Sequence, residues 1–214
     1  MIKTVNEQNL VVFCEKLAED DSDLDYTLKT YGTPPLWARA KGFPTLVHII
    51  LEQQVSLASA RACFDKLCQR LETVTPANFL TLNDNELKTV GFSRQKTAYV
   101  RNLAEAVLNE KINLEELENL PDEEVKSKLI ELKGIGDWTA ECYLLMVLLR
   151  VDVMPKGDLG LHIAWKDLKN LTAAPKSDEF QQIAEKWKPY RAVAARLLWH
   201  FYLSERNARS KGSE

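Results

Sequence analysis

Sulfur and imidazole are scarce in this chain. Its four cysteines, Cys14, Cys63, Cys68 and Cys142, show no CxxC spacing, and its three histidines, His48, His162 and His200, are not spaced as metal ligands. Such scatter argues against a cysteine- or histidine-built metal site and against a disulfide framework, so all seven read as reduced core or surface residues. Long apolar runs are missing too. The longest, Cys142 to Leu149, falls far short of the roughly 20 residues that span a bilayer. With no N-terminal signal pattern, the expectation is a cytoplasmic protein, or a nuclear one if its source has a nucleus, with no membrane partner. No segment repeats at solenoid period and none is of low complexity. Positive charge is not in excess either: the net charge is −3.

That charge is unevenly spread. Seven acids (Glu7, Glu15, Glu19, Asp20, Asp21, Asp23, Asp25) face three lysines (Lys3, Lys16, Lys29) within residues 1–35, leaving the remainder close to neutral. Lys88, Arg94, Lys96 and Arg101 gather in one later segment, and Lys186, Lys188, Arg191, Arg196, Arg206 and Arg209 in another. Runs of this kind are solvated faces or phosphate contacts. At 214 residues and 45% hydrophobic content the chain can bury a sizeable core, as one domain or two intimate lobes.

The pattern is helical nearly throughout. Residues 7–18 predict a helix with Val11, Val12, Cys14, Leu17 and Ala18 available for packing, followed by a polar acidic turn and a break at Gly32-Thr33-Pro34-Pro35. Pro44-Thr45 opens a helix to about Glu52, and Ser56 caps the next, to about Leu71. Gln53 and Gln54 fall at the junction between them. Thr75-Pro76 and Leu82-Asn83-Asp84 start two short helices. Gly91 ends one helix before a run from Ser93 to Leu108, a second hairpin-like element in which Lys96 faces a phosphate or simply solvent. Residues 111–119 form a linker with a weak helix. Later helices are predicted over 161–168, 179–187 and 191–205, with a frayed tail from Arg206.

The informative stretch is Leu132 to Trp165. Leu132-Lys133-Gly134-Ile135-Gly136 sets two glycines around one apolar residue, between a helix opened by Pro121-Asp122-Glu123-Glu124 and a second helix carrying Thr139, Ala140, Tyr143, Leu144 and Val147. This is a helix-hairpin-helix pattern. The amides that start its second helix could hold a DNA phosphate, sometimes through a cation, without reading sequence. The alternative is a plain helix C-cap. Beyond an apolar run, Pro155-Lys156-Gly157 delivers Asp158 to the start of another helix, where Asp serves naturally as an N-cap.

Together these segments resemble the DNA glycosylase superfamily of the helix-hairpin-helix type, in particular its alkylation-repair branch, the DNA-3-methyladenine glycosylase II-like enzymes. The resemblance is carried by Leu132, Gly134, Ile135, Gly136, Trp138, Thr139 and Ala140, then by Pro155, Asp158 and Leu159. It is extended by Ile49-Ile50-Leu51-Glu52-Gln53-Gln54-Val55-Ser56 and by Trp187-Lys188-Pro189-Tyr190-Arg191 with Trp199. It implies an all-α protein of two helical lobes with an intervening DNA-binding cleft. The terminal lobe would comprise residues 1–44 with 151–214, and the central lobe residues 45–150, with the hairpin at about 121–149.

The resemblance also implies roles. Cleaving an N-glycosidic bond builds positive charge on the sugar, and Asp158 would be the carboxylate that stabilises it and positions water, with Asp152 a distant second choice. Bifunctional members keep a nucleophilic lysine where this chain has Trp138, which implies hydrolysis by water, without strand cleavage. Trp138 and Trp199, with Tyr143 one turn on, would line the pocket for an extruded base. A cationic methylated purine would find an indole face attractive there. Trp165 and Trp187 read as core. Gln54 would wedge into the duplex, where other members carry leucine. Gln53, Gly134, Ile135, Gly136, Lys133, Thr139 and Lys96 complete the expected DNA contacts.

No cofactor is implied beyond a possible structural monovalent cation at the hairpin; with no cysteine after Cys142, the iron–sulfur cluster of some relatives cannot be built. The expected partner is double-stranded DNA containing damaged bases, and the expected state a monomer. The activity implied is release of alkylated purines, leaving an abasic site. The alternatives are a non-enzymatic helix-hairpin-helix DNA-binding protein and a glycosylase for deaminated or oxidised bases.

Overall fold

The computed structural model describes residues 3–211. Twelve α-helices follow one another there: α1 (Glu7–Asp20), α2 (Ser22–Tyr31), α3 (Phe43–Glu52), α4 (Leu57–Arg70), α5 (Pro76–Thr81), α6 (Asp84–Val90), α7 (Arg94–Leu108), α8 (Asp122–Ile130), α9 (Asp137–Met146), α10 (Leu159–Leu168), α11 (Ser177–Ala184) and α12 (Arg191–Lys211). Short 3₁₀ turns span Glu116–Asn119 and Glu185–Trp187. No strand forms among the described residues; Thr4 and Arg150 make an isolated antiparallel bridge. The protein is all-α.

Local sequence sets most helix starts. Asn6, Asp21, Ser56, Thr75, Asn83, Ser93 and Asp158 each accept a backbone N–H from the first turn that follows. Asn83 pairs with Glu86, and Asn6 with Asn9, in reciprocal capping boxes.

Three expectations need correction. The acidic segment after α1 is a helix, α2, because Asp21 caps it and Leu24 and Thr27 supply a buried side. Val11 and Val12 are exposed, at 41% and 48%, since Leu10, Cys14 and Leu17 form the packed face of α1. Arg206 does not begin a frayed tail: α12 runs on to Lys211, with Arg206 stacked on Tyr202 one turn back.

The chain divides into two compact units, one holding residues up to Ala38 together with those from Leu149 on, the other Arg39–Leu148. The second unit is organised around α3, whose Leu46, Val47, Ile49, Ile50 and Leu51 are all buried. Around it lie Leu67 of α4, Phe79 of α5, Val100 and Leu103 of α7, and Leu144 and Leu145 of α9. Glu52, nearly buried, is held by a bidentate pair with Arg39 at 2.8 and 3.0 Å.

The first unit is organised around α12. Ala192, Val193, Ala194, Ala195, Leu197 and Leu198 are fully buried, the small residues allowing close packing. Arg196 is buried among them, its guanidinium donating to the carbonyls of Leu36 and Ala192 at 3.0 and 2.9 Å, and burial brings its pKa down to about 10. Trp187 and Trp165 are core residues. Trp187 donates its indole N–H to Asp21 at 2.8 Å, and Lys186 lies over both rings.

Candidate functional site

Asp158 is presented by a tight loop. Val153 and Met154 are buried, Gly157 takes φ +78°, and the Asp158 amide donates to the Pro155 carbonyl at 3.4 Å. Asp158 is indeed the N-cap of α10, its Oδ1 accepting the Leu161 N–H at 2.9 Å. That same oxygen also accepts the indole N–H of Trp199 at 3.0 Å. An ordinary cap has no such second donor. The carboxylate is thereby fixed in position by two elements, the start of α10 and the middle of α12.

Gly160 permits this approach. A Cβ there would lie 3.2 Å from Asp158 Oδ1, 3.4 Å from the Tyr202 ring and 3.5 Å from that of Trp199. Next to the acid, Leu159 is 68% exposed.

The sequence reading missed Trp37. Its ring meets Trp199 edge to face at 6.3 Å, and it occupies φ +49°, a conformation a bulky residue adopts only when its surroundings impose it. The Arg196 bond to the Leu36 carbonyl anchors the preceding residue. The available signal was an aromatic placed two positions after the Gly32-to-Pro35 break. Asp152 is engaged elsewhere, since Arg191 binds both its carboxylate oxygens at 2.8 and 3.1 Å. His162, one turn into α10, is buried against Phe180; burial pushes its pKa down, while the Asp158 charge works the other way.

In the second unit, α8 and α9 form the expected hairpin. Gly134 needs to be glycine twice over, because its φ is +95° and a Cβ would overlap the ring of Tyr99. Gly136 starts α9 with no side-chain cap, and a Cβ there would meet nothing within 4 Å. The backbone at this helix start therefore stands open to an approaching anion. Lys133 is exposed, and its amide is held by Asn102 at 3.0 Å. Asp137, in the first turn of α9, bonds to Lys126 at 2.9 Å, and Lys126 also reaches Glu141 at 2.8 Å. Burial opposes the charge of Lys126, but Glu141 and Asp137 outweigh it and raise its pKa.

Other expected contacts turn inward. Ile135 is 5% exposed and Thr139 1%; they anchor the hairpin rather than present side chains to a ligand. Gln53 donates through one amide nitrogen to the Gly134 carbonyl and the Thr139 hydroxyl, both at 2.9 Å, tying the end of α3 to the hairpin. Lys96 donates to the Leu51 carbonyl at 2.6 Å, and burial lowers its pKa; it caps the end of α3 rather than offering a cation to a phosphate. Tyr143 is fully buried, its phenol pushed up to about 12 by burial, so it belongs to the core and not to a base pocket. Trp138 is half-buried at the second position of α9. Gln54 is the exposed exception, with φ +57° in the αL region and exposed Val55 and Leu57 beside it. No cluster of three His, Cys, Asp or Glu suited to a metal occurs among the described residues.

Residues 47–189 match the family model described as HhH-GPD superfamily base excision DNA repair protein. The chain is 31% identical over 159 residues to the alkylbase DNA glycosidase-like protein mag2 of Schizosaccharomyces pombe, covering 72% of this chain and 75% of that protein. It is 30% identical over 161 residues to DNA-3-methyladenine glycosylase 1 of the same yeast, covering 73% and 71%. Among solved structures, the 3-methyladenine DNA glycosylase Mag1 of that yeast in complex with abasic DNA superposes with a TM-score of 0.82 at 28% identity, over 87% of this chain and 94% of that one.

Proposed function

Because the chain belongs to the HhH-GPD superfamily of base excision DNA repair proteins, we propose that it is a monofunctional DNA glycosylase. In this reading it binds damaged double-stranded DNA as a monomer and hydrolyses the N-glycosidic bond of alkylated purines, leaving an abasic site. The observation that carries the reading is the carboxylate of Asp158, held by the Leu161 amide and the Trp199 indole.

An extruded nucleotide presents its deoxyribose to Asp158, whose negative charge stabilises the oxocarbenium-like sugar as the bond breaks and orients the attacking water. A base methylated at N3 or N7 is cationic and already a good leaving group, so one fixed carboxylate suffices without a strong general acid. Trp37, half-buried with its ring edge-to-face against Trp199, supplies aromatic surface, and a cationic base gains about 0.5–2 kcal/mol against such a face. Trp138 stands where bifunctional relatives keep an amine, so no Schiff base forms and the strand is left intact. The open start of α9 at Gly136 holds a phosphate, and Gln54 enters the duplex where the base has left.

The test is incubation with duplexes carrying 3-methyladenine, 7-methylguanine, deaminated or oxidised bases, with and without later alkali. Release of the methylated purines, with strand breaks only after alkali, is expected from the native protein, and Asp158→Asn should bind DNA but release no base. A covalent adduct trapped by borohydride would overturn the water route. Binding without release of any base would leave a DNA-binding module.

A further inference from the structure

Along α12, Trp199, Tyr202, Arg206 and Arg209 recur at intervals of three and four residues and so share one face. Opposite them on α10 lie Ile163 and Asp167. Between the two helices is a groove of about 230 Å³ lined by Ile163, Asp167, Tyr202, Glu205, Arg206 and Arg209. One turn before Ile163, the missing side chain of Gly160 lets Tyr202 and Trp199 close on the Asp158 loop.

The charges in this groove are not equivalent. Asp167 is met by Lys166 at 3.3 Å and Arg209 at 3.4 Å, while Glu205 accepts the Tyr31 hydroxyl at 2.5 Å and lies 3.6 Å from Arg209. Arg206 instead lies flat over the Tyr202 ring, 5.3 Å from its centre, and donates to the Tyr202 hydroxyl at 2.5 Å. Its guanidinium is thus oriented by an aromatic face, with no carboxylate paired to it among the described residues, and it keeps donors for an oxyanion. From Trp199 to Arg206 is seven residues, a rise of about 10 Å along the helix.

We infer that the Tyr202–Arg206 groove is a second DNA subsite. Arg206 holds a backbone phosphate of the strand carrying the extruded nucleotide, to one side of it, and Tyr202 packs against the adjoining sugar. The inference rests on the glycosylase reading of Asp158. The groove supplies a grip in the unit that carries the acid, where the N-terminal residues are otherwise acidic.

The experiment is a titration of the full-length protein against a duplex containing a tetrahydrofuran abasic analogue, read by fluorescence anisotropy over a range of salt. Arg206→Gln should weaken binding about 3- to 10-fold near 0.1 M salt and lower the slope of log K against log salt by about one. Thermal melting establishes that the variant is folded. Methylphosphonates placed singly at the three phosphates on either side of the analogue then locate the contact, because one of them should weaken the native protein and leave Arg206→Gln unaffected. Equal affinity and salt slope for Arg206→Gln, or no coupling at any phosphate, overturns the subsite. A native protein that fails to bind the analogue at low salt overturns the glycosylase reading itself.

Discussion

One oxygen of Asp158 serves two masters: it caps α10 through Leu161 and accepts the Trp199 indole N–H at 3.0 Å. The indole therefore fixes which way the carboxylate points, a positioning duty separable from any stacking against a base. Trp199→Phe keeps the ring and deletes the donor. A hydrogen bond to a charged group contributes about 1.5–3 kcal/mol, so single-turnover base release should fall about 10- to 100-fold. Affinity for an abasic-analogue duplex should change far less, and a loss confined to affinity would remove the positioning role.

The two hairpin glycines should behave oppositely. Gly134→Ala meets both a positive φ and the Tyr99 ring, so it should cost at least about 2 kcal/mol in urea unfolding. Gly136→Ala has room and an extended backbone, so its stability should fall by no more than about 1 kcal/mol. Its DNA affinity should nevertheless drop, because the added methyl stands at the open start of α9. Equal DNA binding by native protein and Gly136→Ala would remove the phosphate role from that helix start.

Adjacent glutamines should likewise separate structure from function. Gln53→Ala loses bonds to the Gly134 carbonyl and the Thr139 hydroxyl, and should destabilise by about 1–2 kcal/mol. Gln54→Gly relieves an αL residue and should leave stability equal or higher by up to about 1 kcal/mol, while slowing base release from duplex substrate. Undiminished release would mean that Gln54 is a turn residue only.

Acidification should weaken the fold through two histidines. Burial lowers the pKa of His48, stacked on Phe64, and of His162, packed on Phe180, below the ordinary 6.5. The unfolded chain then binds more protons than the native one as pH falls past 6.5. The stability contributed by neutral histidine is therefore present above that pH and lost below it. The urea midpoint should decline between pH 7 and 5, with a shallower decline in His48→Gln and His162→Gln. An unchanged slope in both would place the acid sensitivity elsewhere.

Much of the fold was legible because it is written locally. Ser56, Thr75, Asn83, Ser93 and Asp158 are capping residues standing directly before apolar periodicity, and the glycine pair at Gly134 and Gly136 marks the hairpin. Helix α2 was hidden because its polar surface dominates a short segment in which only Leu24 and Thr27 are buried. The resemblance identified the residues around Asp158 but not their partners. That Trp199 binds Asp158, that Lys96 caps α3 and that Trp37 meets Trp199 are contacts across 41, 45 and 162 positions, which no periodicity within one segment encodes. For the same reason Thr139, Ile135 and Tyr143 read as ligand-facing in the linear motif and are core in three dimensions.

The unit that carries Asp158 is stitched from both ends of the sequence, with α1 and α2 packed against α12. During synthesis, therefore, residues 39–148 can assemble as soon as they leave the ribosome, whereas the carboxylate waits for the last helix to bring Trp199. The glycine hairpin can thus be in place before Asp158 acquires the indole bond that fixes its orientation.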